Sequence, residues 1–346
     1  MNQTEKRKEE HVVIAINEDV SMHYNYWDDI SLVHNALPEI NEEEIDTSVT
    51  LFGKKLEAPI LIAGMTGGYS GAKKVNENLA KTAEKFQIGL GVGSQRSALE
   101  NKELRDTYEV VKDYNIPLKI ANIGASQIVK WGVEKSKNNI AKIIEMIDAD
   151  ALAICLNFLQ EVIQPEGETD ARGSYSAIKS LAEEIDIPVI VKESGAGISY
   201  DVAERLMKTK IAGIDVGGAG GTSFAAIEYY RAKMIKDWLH ERMGKTFWDW
   251  GIPTPLSIID VREAVGNQLT VIATGGIRNG LDGAKAIALG ADVFGVAHAI
   301  LKSAVKGEKH AAKETEAIIN ELRAAMFLVG AENVKELSKV DLYGFD

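Results

Sequence analysis

Residues 269–297 read LTVIATGGIRNGLDGAKAIALGADVFGVA. The stretch opens on a β-rich apolar run, 269–275, and breaks on two glycines. It continues through an amphipathic segment of helical length, 281–289, and enters a second apolar run, 291–297. Neither run alternates apolar with polar residues, as a strand buried on both faces of a parallel sheet requires. The stretch is therefore a βαβ unit, and the question is how often it recurs.

It recurs along the chain. Matching runs occupy 59–64 (PILIAG), 88–94 (IGLGVGS), 118–124 (LKIANIG), 149–157 (ADALAICLN), 188–193 (PVIVKE) and 211–217 (IAGIDVG). Helical segments fall at 72–86, 97–114, 126–148, 174–185, 200–209 and 256–264. Eight strands, most followed by a helix, predict an α/β fold of the (β/α)8 TIM-barrel type and not an open doubly wound sheet. The length of 346 residues would alone have suggested about two domains. The repeat predicts instead a barrel over 51–346, preceded by an N-terminal extension or lid over 1–50 that shows no strong periodicity. An insertion of 51 residues (218 to 268) separates strands 6 and 7. It contains a helical stretch at 224–242 and the segment FWDWGIPTP, which either shapes the barrel mouth or serves as a surface or oligomer contact.

Composition excludes several function classes. Lys and Arg total 39 against 51 Asp and Glu, a net charge of −12, whereas nucleic-acid binders need a basic surplus. A single cysteine, Cys155, rules out an intrachain disulfide and a Cys-rich zinc site. No apolar run approaches the ~20 residues that span a bilayer, and the charged start MNQTEKRKEEHVV lacks a signal-peptide core. A cytoplasmic enzyme is the expectation, with no nucleic-acid or membrane partner.

Barrel enzymes place their chemistry at the C-terminal ends of the strands. Here those ends carry Met65, Thr66 and Gly67; Ser94, Gln95 and Arg96; Asn122; Asn157, Gln160 and Glu161; Lys192; Thr222; Gly275, Gly276, Ile277 and Arg278; and Ala297 and His298. The glycines after strands 7 and 8 suit a phosphate, because bare backbone lets amides approach its oxygens; they also suit plain turns. The GLGVG run at 89–93 does not complete a dinucleotide fingerprint. Lys192 can act as a buried base or nucleophile, neutralise an anionic cofactor, or pair with a carboxylate. No HExxH or histidine cluster supports zinc, whereas Glu161 could hold a hard cation together with substrate phosphates. Arg7, Lys8 and His11 read as a solvated charged tail unless that tail folds over the mouth.

At these residues the chain resembles the flavin-dependent, type 2 isopentenyl-diphosphate isomerases. The matching segments are RKEEH, LVHNALPEI, MTGG, GSQR, LNFLQEVIQPEG, IVKESGAGIS, GGAGGTSFAAIE, WGIPTP and GGIRNGLDGAKAIALGA, in order from Arg7 to beyond Ala291. The resemblance implies reduced FMN, reduced in turn by NAD(P)H, with Mg2+ and a diphosphate substrate, in a tetramer or octamer. It implies FMN contacts from Met65, Thr66, Gly67, Ser94, Asn122, Lys192 and Thr222, with the FMN phosphate on Gly275, Gly276, Ile277, Ala297 and His298. It places the substrate diphosphate on Arg7, Lys8, Ser94, Gln95 and Arg96. Asn157, Gln160 and His11 fall at the reacting end and Glu161 on Mg2+. One departure stands out: the family usually has His where this chain has Cys155, and thiol and imidazole differ in how they donate and titrate. The competing reading is an FMN barrel oxidoreductase acting on a small hydroxy acid, which needs a histidine base beside the flavin.

Overall fold

The computed structural model describes residues 3–344. Eight parallel strands close into a barrel: β1 (Ile60–Ile62), β2 (Gly89–Gly91), β3 (Lys119–Gly124), β4 (Ala151–Cys155), β5 (Val189–Lys192), β6 (Gly213–Asp215), β7 (Thr270–Ala273) and β8 (Val293–Val296). Closure comes from β8 against β1, with Phe294 opposite Ile60 and Val296 opposite Ile62. The expected (β/α)8 TIM barrel is the fold observed. Its strand bodies are buried on both faces because helices pack outside while Leu61, Leu118, Ile120, Ile190, Ile272 and Val293 fill the inside. A hairpin, Val49–Leu51 paired with Lys54–Leu56, presses Leu51, Leu56 and Phe52 onto that inner cluster. Its apolar side chains close the bottom of the barrel, so polar strand ends are left for the top.

The helix Ala72–Phe86 has the bounds that its periodicity predicts. Three other expected helices are broken, each by a local backbone event. The segment 97–114 divides at Asn101, which is extended (φ −133°, ψ 109°) and caps the following turn through its side chain. The segment 126–148 divides at Gly132, with φ 73°. The insertion forms a helical hairpin in place of one helix, because Lys236 turns left-handed (φ 59°) and Asp237 caps a new helix by accepting from the His240 amide. The sequence reading also missed the helix Glu308–Val329, which packs on the outer helices, and the pairing of Leu342–Tyr343 with Ser31–Leu32.

Five helices position the site: α1 (Gln3–Asn17), α2 (Phe158–Ile163), α3 (Phe224–Ile235), α4 (Trp238–Thr246) and α5 (His298–Lys306). Helix α1 lies within the segment that shows no periodicity. Its buried residues are only Val12, Ile14 and Ala15. They divide between Tyr69 and Ala72 on one side and Ala226 and Ile227 on the other. A helix that bridges two surfaces and roofs a polar cavity has no single apolar stripe, which is why its pattern is faint.

Candidate active site

A cavity of about 600 Å3 lies at the C-terminal ends of the strands, roofed by α1 and walled by α2 and α3. Met65, Thr66, Gly67, Ser94, Asn122, Asn157, Gln160, Glu161, Lys192, Thr222, Gly275, Gly276, Ile277, Ala297 and His298 all line it, as do Arg7, Lys8, His11 and Arg96. The residues of the strand ends converge because a barrel brings every strand end to one rim. The N-terminal residues converge because α1 lies over that rim.

Gln95 is the exception. Its side chain is fully buried, donating from Nε2 to the Ile143 carbonyl (2.9 Å) and accepting from the Asn122 amide (3.1 Å). It therefore anchors the loop that carries Ser94 and Arg96 and does not face a ligand. The carboxamide satisfies backbone groups that would otherwise be orphaned inside the barrel wall.

The corner after β7 and β8 is built from backbone. A Cβ on Gly275 would collide with the Gly218 carbonyl, and one on Gly276 would lie 2.8 Å from that of Gly220; both glycines have positive φ (114° and 69°). Helix α5 adds unpaired amides at its N-terminus. Arg278 brings little free charge to this corner, since Asp28 (2.6 Å) and Asp282 (2.9 Å) hold its guanidinium. His298 donates from Nε2 to the Ala15 carbonyl of α1 (2.7 Å), and burial lowers its pKa, so it stays neutral. An anion here is held by amides.

At the cavity floor Lys192 donates to the Glu193 carbonyl (2.7 Å) and lies 3.4 Å from Asp215. Burial opposes its charge, but Asp215 and neighbouring groups more than offset that, and its pKa is raised. Lys192 is thus a fixed ammonium and not a base. Nearby, Asn122 Oδ1 is buried without a hydrogen-bond partner. A buried acceptor left unpaired is costly unless a ligand supplies the donor. The glycine corner, the orphaned carbonyl and the fixed cation together suit a planar, hydrogen-bonding cofactor with a phosphate tail.

The opposite end of the cavity is cationic. Lys8 donates to the Ser94 carbonyl (2.7 Å) and lies 3.3 Å from the Tyr108 hydroxyl. Burial, then Arg7 and Arg96, lower its pKa to about 7. Arg96 is engaged by Glu100 (2.7 Å) and Glu168 (3.2 Å), while Arg7 faces the cavity with no hydrogen bond or ion pair among the described residues. On α2, Glu161 accepts from Asn157 Nδ2 (3.0 Å) and from the Glu168 amide (2.8 Å). Gln160 donates to Gln164 (3.1 Å). No cluster of three or more metal-ligating side chains occurs among the described residues.

His11 pairs with Glu228 (Nε2 to Oε1, 2.8 Å), and Glu228 is fully buried. Burial lowers the His11 pKa despite this partner. Arg231 ties Glu228 (2.6 Å) to Glu10 of α1 (3.0 Å) and Glu166 of the loop after α2 (2.7 Å). This ionic knot went unrecognised in the sequence. Its signal was readable: Glu228 and Arg231, one turn apart, interrupt the otherwise apolar stretch FAAIEYYRA.

Curated relatives decide the family. The isopentenyl-diphosphate delta-isomerase of Thermoplasma volcanium is 49% identical, over 97% of this chain and 95% of its own length. That of Methanosarcina mazei is 46% identical, over 97% and 91%. The chain belongs to the isopentenyl-diphosphate delta-isomerase family. Residues 4–107 and 157–343 also match the model of the FMN-dependent dehydrogenase family. Among solved structures, a mandelate oxidase mutant with benzaldehyde superposes with a TM-score of 0.68, covering 99% of this chain and 95% of that one at 16% identity. At that identity the likeness is one of fold.

Cys155 stands at the end of β4 beside Lys192. Its Sγ lies 2.8 Å from Ser194 Oγ, and burial pushes the thiol up to about 11. It stays protonated at neutral pH and acts as a small, weakly polar wall group, whereas Asn157, Gln160 and Glu161 keep their cavity positions.

Proposed function

We propose that this chain interconverts isopentenyl diphosphate and dimethylallyl diphosphate by a 1,3-allylic proton shift, using reduced FMN and Mg2+. One observation carries the reading: a single cavity joins an amide-lined phosphate corner to a second, cationic end made by Arg7, Lys8 and Arg96. Two anion sites in one chamber suit a phosphorylated cofactor and a diphosphate substrate placed end to end. Relatives of up to 49% identity over nearly the whole chain support the same reading, and favour it over oxidation of a small hydroxy acid.

In this reading Gly275, Gly276, Ile277, Ala297 and His298 hold the FMN phosphate. Met65, Thr66, Gly67, Ser94, Asn122, Lys192 and Thr222 surround the ring system. Bound reduced FMN supplies the acid and base for the proton shift. Lys192 holds a positive charge against the cofactor, and Asn122 Oδ1 gains its missing donor. Arg7, Lys8 and Arg96 bind the diphosphate, and Glu161 would hold Mg2+, which would supply further positive charge to it. Asn157 and Gln160 orient the allylic chain, and His11 is fixed beside it by Glu228. Helix α1 excludes water, which would compete for the proton. Residues 1–50 serve as lid and strap to the barrel of 51–346.

NAD(P)H as electron source, a cytoplasmic location and assembly into a tetramer or octamer are parts of the same proposal. The last is supported by Met234, Ile235, Trp238 and Leu239, exposed together at the turn between α3 and α4. No helix among the described residues is long and apolar enough to cross a membrane. The test is anaerobic incubation of the protein with reduced FMN, Mg2+ and isopentenyl diphosphate. Dimethylallyl diphosphate is the expected product, and its absence under full reduction refutes the reading.

A further inference from the structure

We infer that Asn25 and Trp27 are positioning residues for the cofactor phosphate, forming a strap that fixes the peptide planes of the Gly275–Gly276 corner. The inference rests on the FMN reading above and extends it to residues outside the barrel.

Trp27 Nε1 donates to the Gly275 carbonyl (3.0 Å), and Asn25 Nδ2 donates to the Gly276 carbonyl (2.8 Å). Across a trans peptide the C=O and the following N–H point in opposite directions. Holding those two carbonyls from one side therefore turns the amides of Gly276 and Ile277 to the other. Both residues line the cavity, and among the described residues neither amide donates to a protein acceptor. A diglycine corner is the place where such control matters most, because glycine peptide planes are the easiest to rotate.

The strap is itself held firmly. Trp27 is 1% exposed, and Lys285 Nζ donates to its carbonyl (2.8 Å). Asn25 Oδ1 accepts from the Trp27 amide (3.2 Å), so one carboxamide caps the strap's turn and grips the corner. Ordered donors aimed outward before the ligand arrives reduce the cost of binding an anion by amides alone. That matters here because the nearest guanidinium, Arg278, is bound to Asp28 and Asp282.

The test compares FMN with riboflavin, which lacks the phosphate, by flavin-fluorescence titration of the full-length apoprotein. Two conservative variants are used. Trp27→Phe keeps the buried ring and loses the donor. Asn25→Asp keeps the cap, loses the donor and sets a carboxylate against the corner. Each is expected to weaken FMN about three- to tenfold, the worth of one hydrogen bond, and to leave riboflavin affinity within about twofold. Equal losses for both flavins would make the strap a general structural element and overturn the inference, as would unchanged FMN affinity. If the wild-type protein fails to prefer FMN over riboflavin, the phosphate-corner reading itself falls and the strap with it. A wild-type preference that the variants leave intact removes the strap alone.

Discussion

On the proposed function, diphosphate binding at Lys8 should be a proton-linked event, and the linkage has a calculable size. In the ligand-free cavity burial and the flanking Arg7 and Arg96 bring its pKa down to about 7. At about pH 8 such a group is only about one-tenth protonated. A bound diphosphate neutralises the two arginines and offers Lys8 a charge-assisted acceptor, which returns its pKa towards 10.5. Binding at about pH 8 should then take up about 0.9 proton at this site. The uptake should fade below about pH 6, where Lys8 is already charged before ligand arrives. The sign follows from a depressed base being restored: the complex binds more protons than the free components. Isothermal titration with inorganic diphosphate in Tris and in HEPES gives the number of protons from the dependence of heat on buffer ionisation. Lys8→Met keeps the apolar stem and removes the titrating group, so the ligand's own ionisation cancels in the comparison. A variant that takes up as many protons as the wild type would refute the reasoning.

Three further outcomes are expected. Glu161→Gln should raise the Mg2+ concentration for half-maximal turnover about ten- to a hundredfold, and an unchanged metal titration would place the cation elsewhere. Arg231→Met should lower unfolding free energy by about 3 kcal/mol in urea titration, because it strands the fully buried Glu228 beside Glu10 and Glu166; a loss under about 1 kcal/mol would show the knot to be solvated. Burial pushes the Glu193 carboxyl up to about 7, against the amides of Ala196 and Ser194 that it accepts from. A raised acid stabilises the fold fully below its unfolded value of 4.5, and that contribution is lost as pH rises through about 7. The stability margin of the wild type over Glu193→Gln should therefore shrink from about pH 5 to about pH 8 in parallel urea titrations; a margin that does not change with pH would show that Glu193 does not carry this dependence.

The barrel was legible because its signal is local. Unalternating runs such as 188–193 and the glycine breaks after them mark strands buried on both faces, and a repeat of that unit leaves little choice of architecture. The polar strand ends were legible for the same reason, since packing does not require Ser94, Lys192 or Thr222 to be polar. Helix breaks at Asn101 and Lys236 were not, because one extended or left-handed residue changes direction without altering the surrounding periodicity. The resemblance groups Gln95 with Ser94 and Arg96, which do line the cavity; only the packed wall shows its carboxamide spent on Ile143 and Asn122.

The sequence alone thus determined the barrel and the polar residues at its strand ends, both set by short-range pattern. Tertiary structure decided what residues far apart in the chain do to one another. It seated α1 over the mouth, so that Arg7 and Lys8 became a cavity wall and not a solvated tail. It settled Lys192 as a paired ammonium through Asp215, and it held the thiol of Cys155 protonated. It also brought His11 to Glu228 and Trp27 to Gly275 across more than two hundred residues. Charge state and hydrogen-bond direction depend on what lies within a few ångströms, and for these side chains that is fixed by chain closure and not by sequence neighbours.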